Sequence, residues 1–212
     1  GSEKFGPNNR FAFFPSFSLG WMISEEKFMK GLKFLDMLKL RGSWGRIGDD
    51  NVGGRWLYQD SWGYQNSNTY LGLIPTATPY SYYRITSLGN ENISWETVEK
   101  RNVGIDYSFF KGLIAGSVDI FSDKRKDILV SGGSRSIPSF FGATAPTANL
   151  GSTKSHGYEL ELRLNYMFAN KMRLWANTNY THAVNEVIFR DDPVLRDAHR
   201  KAAGHAIGQT NS

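Results

Sequence analysis

Glu159 and Glu161 stand two residues apart. In an extended strand that spacing puts both carboxylates on one face with Cα atoms about 6.6 Å apart, a separation at which acid pairs cleave glycosidic bonds. Such a pair needs one acid in an apolar setting that raises its pKa, whereas Arg163 follows two residues on and supplies a neutralising charge. The row therefore reads as the lining of a wet surface. The chain also lacks a nucleophile elbow, a phosphate-cradling glycine loop and cysteine, so no enzyme is expected.

Asp49, Asp50 and Asn51 offer clustered oxygens to a calcium ion but lack the ligand spacing of a dedicated loop, which favours a solvated turn. His156, His182, His199 and His205 show no metal spacing. No metal and no cofactor are expected. The stretch 48–95 is different. Trp56, Tyr58, Trp62, Tyr64, Tyr70, Tyr80, Tyr82 and Tyr83 interleave there with Asp60, Asn66 and Asn68. Exposed rings stack on sugar faces or peptide side chains while amides bond polar edges, so these eight are the candidate ligand-binding residues. The competing reading has the same rings folding the loop onto itself or onto a partner protein. The charge run Asp123–Asp127 reads as a wet rim able to meet charged headgroups or lipopolysaccharide.

These residues sit in 212 that include no cysteine, 25 basic and 20 acidic side chains, 40% apolar and 14% aromatic residues. That is too apolar for disorder. Disulfide scaffolds and thiol-based metal sites are excluded. The net charge of +5 is modest and its basic residues are scattered, so no nucleic-acid partner is expected. No stretch approaches the roughly 20 apolar residues of a membrane-spanning helix.

The strongest pattern is an alternation of period two. In 157–168 the even positions are Tyr158, Leu160, Leu162, Leu164, Tyr166 and Phe168, opposed by Gly157, Glu159, Glu161, Arg163, Asn165 and Met167. Side chains of a strand alternate between faces, so one face is apolar and the other mostly polar. As a helix the same residues would spread leucines all round. Similar alternation marks 10–21, 38–44, 102–109, 114–122 and 171–181, giving six candidate strands. They are longer than the roughly 5–6 residues usual in soluble sheets. Phe110-Lys111-Gly112 and Ala169-Asn170 read as tight hairpin turns. Long links occupy 48–95, 124–155 and the region after 187. Residues 23–36 form a medium turn with a short helix, capped by Ser24 and carrying Phe28, Leu32 and Leu35 on one face.

Short turns then fall at one end of the strands and long loops at the other. Aromatics sit near the strand ends and aliphatics in the middle. A strand of about ten residues tilted by about 40° spans roughly 25 Å, the height of the apolar band of an outer-membrane barrel. The fold class expected is all-β, an antiparallel up-and-down transmembrane β-barrel segment with short periplasmic turns and long extracellular loops. Tyr158, Leu160, Leu162, Leu164, Tyr166 and Phe168 would face lipid. A soluble extracellular β-sandwich binding carbohydrate through the loop aromatics is the alternative. Six strands cannot close a transmembrane barrel, for which about eight is the minimum. With its Gly1-Ser2 start and polar finish at 207–212, the chain is expected to be part of a larger barrel.

Several phrases resemble the SusC/RagA family of TonB-dependent outer-membrane transporters. They are Phe5-Gly6-Pro7-Asn8-Asn9-Arg10, the run Phe13 to Trp21 with Ile23-Ser24-Glu25-Glu26, and Leu38-Lys39-Leu40-Arg41-Gly42-Ser43-Trp44-Gly45. Asn92-Ile93-Ser94-Trp95-Glu96-Thr97, Asn102-Val103-Gly104-Ile105-Asp106, Gly157-Tyr158-Glu159-Leu160-Glu161 and Ala203-Gly204-His205-Ala206-Ile207-Gly208-Gln209 follow in order. The resemblance implies a barrel of about 22 strands filled by a plug, a SusD-like surface lipoprotein as lid, and TonB-driven import of an oligosaccharide or peptide across the bacterial outer membrane. Residues 1–212 would be a partial barrel, with the plug, the TonB-contacting N-terminal region and the closing strands outside the chain.

Overall fold

The computed structural model describes residues 1–69, 80–138, 140, 143–192 and 201–209. Eight strands run in order: β1 (Ser16–Met22), β2 (Leu35–Asp49), β3 (Ser61–Thr69), β4 (Tyr80–Ser87), β5 (Glu96–Phe109), β6 (Ile114–Val130), β7 (Ala148–Met167) and β8 (Arg173–Phe189). Six form one antiparallel sheet in the order β1-β2-β5-β6-β7-β8, and β3 pairs with β4 as a separate hairpin. The alternating segments are thus strands, joined up and down, with the hairpin inserted in the long link between β2 and β5.

The tight turns fall where expected. Phe110, Lys111 and Gly112 all take positive φ between β5 and β6. Between β7 and β8 positive φ falls on Lys171 and not, as the Asn suggested, on Asn170, whose side chain instead accepts from the Met172 amide at 3.1 Å. The strands outrun their alternating cores. β6 continues to Val130 and β7 starts at Ala148, so the long link is 131–147 rather than 124–155. Beyond the apolar band both faces are wet, so the sequence there carries no period-two contrast. At the chain's start the opposite holds. Residues 10–15 alternate but are not strand, and β1 begins only at Ser16, after Pro15 has removed an amide donor.

No helix forms at 23–36. Instead, amides of Glu26, Met29, Leu32 and Leu35 each bond the carbonyl three residues back, a chain of single turns after one 3-10 turn at Ile23–Glu25. Glu26 is extended (ψ 146°) and its carboxylate accepts the Trp21 indole N–H at 2.9 Å. Phe28 is 69% exposed, so among the described residues nothing covers the leading end of the apolar stripe. A short helix without a packing partner does not meet its nucleation cost.

Register sorts the side chains into rungs. Leu40, Ile105, Val118, Leu160 and Tyr180 share one rung of the apolar face; Leu38, Tyr107, Gly116, Leu162 and Thr178 share the next. Arg41, Gly104, Asp119, Glu159 and Thr181 form a rung of the opposite, polar face. The apolar face is uncovered: Ile120 is 63%, Leu19 66% and Leu174 61% exposed. A sandwich would lay a second sheet over it; among the described residues none does. Among the described residues the buried hydrophobic cluster is Phe5, Val52 and Ile93 at the loop end, flanked by Leu57, Trp95 and Leu129, with Val130, Ala145 and Ala148 also buried.

Candidate functional site

Two of the phrases quoted above build the base of the loop region. Phe5 and Ile93 are fully buried against each other, and the Phe5 ring meets Trp95 at 5.1 Å. The Trp95 indole donates to the Asn9 carbonyl at 3.0 Å, and the Asn9 amide donates to the Ile93 carbonyl at 3.0 Å. Asn149, at the start of β7, accepts from the Ser94 amide and donates back to the Ser94 carbonyl at 2.9 Å. The segments 1–10 and 90–95 are therefore clamped onto the ends of β6 and β7. This clamp holds the described residues 50–69 and 80–89 beyond the sheet.

On that base sits a cavity of about 900 Å³ lined by Asn8, Arg10, Tyr58, Asp60, Trp62 and Glu91 among others. Asp60 is fixed by the Gly89 amide, which donates to it at 2.7 Å. The wall combines rings with a cation, carboxylates and an amide. Such a set stacks on an apolar face and bonds a polar edge of the same ligand.

The hairpin β3–β4 sorts the aromatics further. Trp62 pairs with Ile85 and Tyr64 with Tyr83, so these four share one face, while Tyr82 opposite Gln65 lies on the other. Trp62, Tyr64 and Tyr83 are 63%, 56% and 70% exposed, and the two tyrosine rings touch at 5.2 Å. Of the eight candidate residues, Tyr58 and Trp62 line the cavity; Trp62, Tyr64 and Tyr83 form the exposed stripe. Tyr82 is half-buried behind it. Trp56 occupies a turn with φ 57°, apart from the cavity. The backbone of Tyr80 opens β4, and Tyr70 lies outside the described residues. Arg10 and Glu91 went unnoticed in sequence because they flank the aromatic stretch rather than belong to it.

Asp49 and Asp50 are held by protein groups. The Asp49 side chain accepts from the Asn51 amide at 2.9 Å and lies 3.9 Å from Arg125; Lys4 donates to the Asp50 carbonyl at 2.9 Å. Among the described residues no three His, Asp or Glu side chains converge as a metal site. His199 lies outside the described residues. Glu161 pairs with Arg163 at 3.1 Å, the charge neutralisation that the spacing implied.

A second cluster, on the polar face, was not singled out in sequence. The Arg41 guanidinium bonds Asp106 at 3.1 Å and Asp119 at 2.6 Å, and contacts the Asn102 amide oxygen at 3.4 Å. Asp119 is 8% exposed, and among the described residues its second oxygen has no hydrogen-bond partner. Arg41 reaches Asp119 across β5 because Gly104 stands between them. A Cβ there would sit 2.5 Å from Asp119 and 2.8 Å from the guanidinium carbon. The glycine of one phrase thus lets the arginine of another bridge three strands. Signals for it were present as charges within three alternating segments, but which charges meet depends on register.

The chain as a whole has counterparts in known proteins. The family pattern described as TonB dependent receptor-like, beta-barrel, matches residues 1–208. SusC, a TonB-dependent receptor of Bacteroides thetaiotaomicron, is 31% identical over 98% of this chain and 21% of its own length. TonB-dependent receptor P39 of Formosa agariphila is 32% identical over 89% of this chain and 17% of its own length. The chain therefore spans about a fifth of these relatives. Among solved structures, the RagAB peptide importer in its open-open state aligns with a TM-score of 0.74 at 25% identity, over 87% of this chain and 19% of that one. Register, rungs and matched length together place the chain in the TonB-dependent receptor-like β-barrel family, as a piece of barrel wall of the SusC/RagA type.

Proposed function

We infer that this chain is a slice of the wall and outer loops of a TonB-dependent importer in the bacterial outer membrane, and that its cargo is an oligosaccharide or a peptide. The observation that carries the membrane assignment is the uncovered apolar face, aliphatic at Leu160, Leu162 and Leu164 and aromatic at Tyr158, Tyr166 and Phe168. In water such a face is an aggregation surface; against acyl chains it is matched. The polar face, with its paired Arg41, Asp106 and Asp119, then lines the lumen, and β3–β4 projects outward.

The cavity and aromatic stripe are the cargo-contacting part of this reading. Arg10, Asp60 and Glu91 favour a ligand with several polar groups, while Tyr58 and Trp62 favour one with a flat apolar face; a sugar ring and an aromatic peptide side chain both qualify. A SusD-like surface lipoprotein is the expected neighbour of the loop end. TonB would act through a region outside this chain.

Trp62→Ala combined with Tyr83→Ala in the full-length receptor tests this. Both rings are more than half exposed, so folding should change by less than about 0.5 kcal/mol. Cargo binding should weaken about tenfold or more, given roughly 0.5–1.5 kcal/mol per aromatic contact. Binding is measured with labelled oligosaccharides and labelled peptides in separate arms, and lipoprotein association is measured alongside. Unchanged binding in both arms, with lost lipoprotein association, would assign the stripe to the lid contact instead.

A further inference from the structure

Toward the loop end the apolar face changes character rung by rung. Val103, Ile120 and Tyr158 lie opposite His182; Arg101 and Ser122 follow, opposite His156; Glu99, Lys124, Lys154 and Glu186 come last. Lys124 and Lys154 are paired directly in register, which sets their Cβ atoms about 5 Å apart and makes like charges oppose each other. Both are exposed. Lys154 also faces Glu186 in register, but among the described residues neither lysine forms an ion pair with a carboxylate. Glu99, the neighbour of Lys124 in the rung, is already taken by the Trp44 indole at 3.0 Å and by Arg101 at 2.6 Å.

Directly toward the centre of the sheet lies a groove of about 580 Å³ between β6, β7 and β8. Val118, Ile120, Tyr158 and Val184 line it, and Lys154 and His156 form its polar lip. An apolar bed with two opposed ammonium groups at one end has the complementarity of a lipid with an anionic head. The charge narrows the choice. A phosphomonoester carries close to two negative charges at neutral pH, and two unpaired lysines match it; the phosphodiester of a glycerophospholipid carries one.

We propose that Lys124 and Lys154 hold a phosphomonoester of an outer-leaflet glycolipid of the lipopolysaccharide type, one of whose acyl chains lies along the groove. The proposal rests on the reading that the apolar face meets lipid. Arg101, one rung inward on the adjacent strand, is paired with Glu99 at 2.6 Å and keeps that carboxylate away from the two lysines. The site ties the barrel wall to the lipid leaflet on the side from which the loops project.

The test is native mass spectrometry of the full-length receptor in detergent with added lipid A, comparing wild type with Lys124→Gln/Lys154→Gln. Lys100→Gln serves as control, since Lys100 lies on the polar face beside Asp123 at 3.5 Å. The double variant should lose lipid A about tenfold or more, the control should match wild type, and added salt should weaken the wild-type complex. Equal retention by the double variant overturns the proposal while leaving the lipid-facing reading intact. A wild type that binds no lipid, together with a Leu162→Arg variant that inserts unhindered, overturns both. Phosphatidylglycerol retained as well as lipid A overturns the phosphomonoester assignment.

Discussion

Replacing Leu162 by arginine puts a guanidinium near the middle of the apolar face. Its rung holds Tyr107, Gly116 and Thr178, and Tyr158 and Tyr166 stand at either end of its own face. Each tyrosine is about 13 Å along the strand, hence about 10 Å along a barrel axis at a tilt of about 40°. An arginine stem recovers only part of that depth by snorkelling. The expected penalty in a bilayer is therefore the midplane value, about 2–4 kcal/mol. Arg163→Leu on the neighbouring position loses a 3.1 Å contact with Glu161, but with side chains 58% and 33% exposed that pair is worth at most about 1 kcal/mol. The two changes should thus differ by roughly 2 kcal/mol, about thirtyfold in the folding equilibrium. The assay is urea titration of the full-length receptor folded into phosphocholine vesicles, followed by heat modifiability on gels. If the apolar face instead touched water, Leu162→Arg would be neutral within about 0.5 kcal/mol. Equal penalties for the two variants would refute the facing assigned here.

Arg41→Met should cost about 2–3 kcal/mol in the same titration. It strands Asp119, whose side chain is 11% exposed, but Arg41 itself is 34% exposed, which discounts the roughly 3–5 kcal/mol of a fully buried pair; a neutral result would remove the cluster from any structural role. Phe5→Ala should open the loop module rather than the sheet, because the cluster of Phe5, Val52 and Ile93 meets the sheet through Leu129 at the outer end of β6 and not along the body of the strands. The local cost of about 3–5 kcal/mol should appear as protease cleavage within 53–60, with the urea midpoint of the sheet unmoved; an intact loop under protease would show that the clamp through Asn9 and Asn149 suffices alone.

Strand identity, the two faces and the long-loop end were legible in the residues themselves, because the backbone imposes a period of two that Leu160, Leu162 and Leu164 obey and Glu159, Glu161 and Arg163 complement. The tight turns were legible for a similar reason: they rest on positive φ at Gly112 and its neighbours, a local property. Where solvent wets both faces the period vanishes, so the outer ends of β6 and β7 and the β3–β4 hairpin were read as loop. The stripe at 23–36 shows the converse. Its helical spacing was present, but no surface lies opposite Phe28 to receive it, and a helix depends on that partner.

What only the tertiary structure decided is who stands beside whom. Arg41 lies on a strand separated by a long stretch of chain from the hairpin that carries Gly104 and Asp119, and the three meet because antiparallel register aligns them in one rung. Phe5 and Ile93 likewise close the loop module from segments far apart in sequence. Composition along a strand specifies a face through covalent geometry alone. Contact between strands is set by hydrogen-bonded register and by the glycine that leaves room for a neighbouring side chain to cross, and neither is written in any single segment.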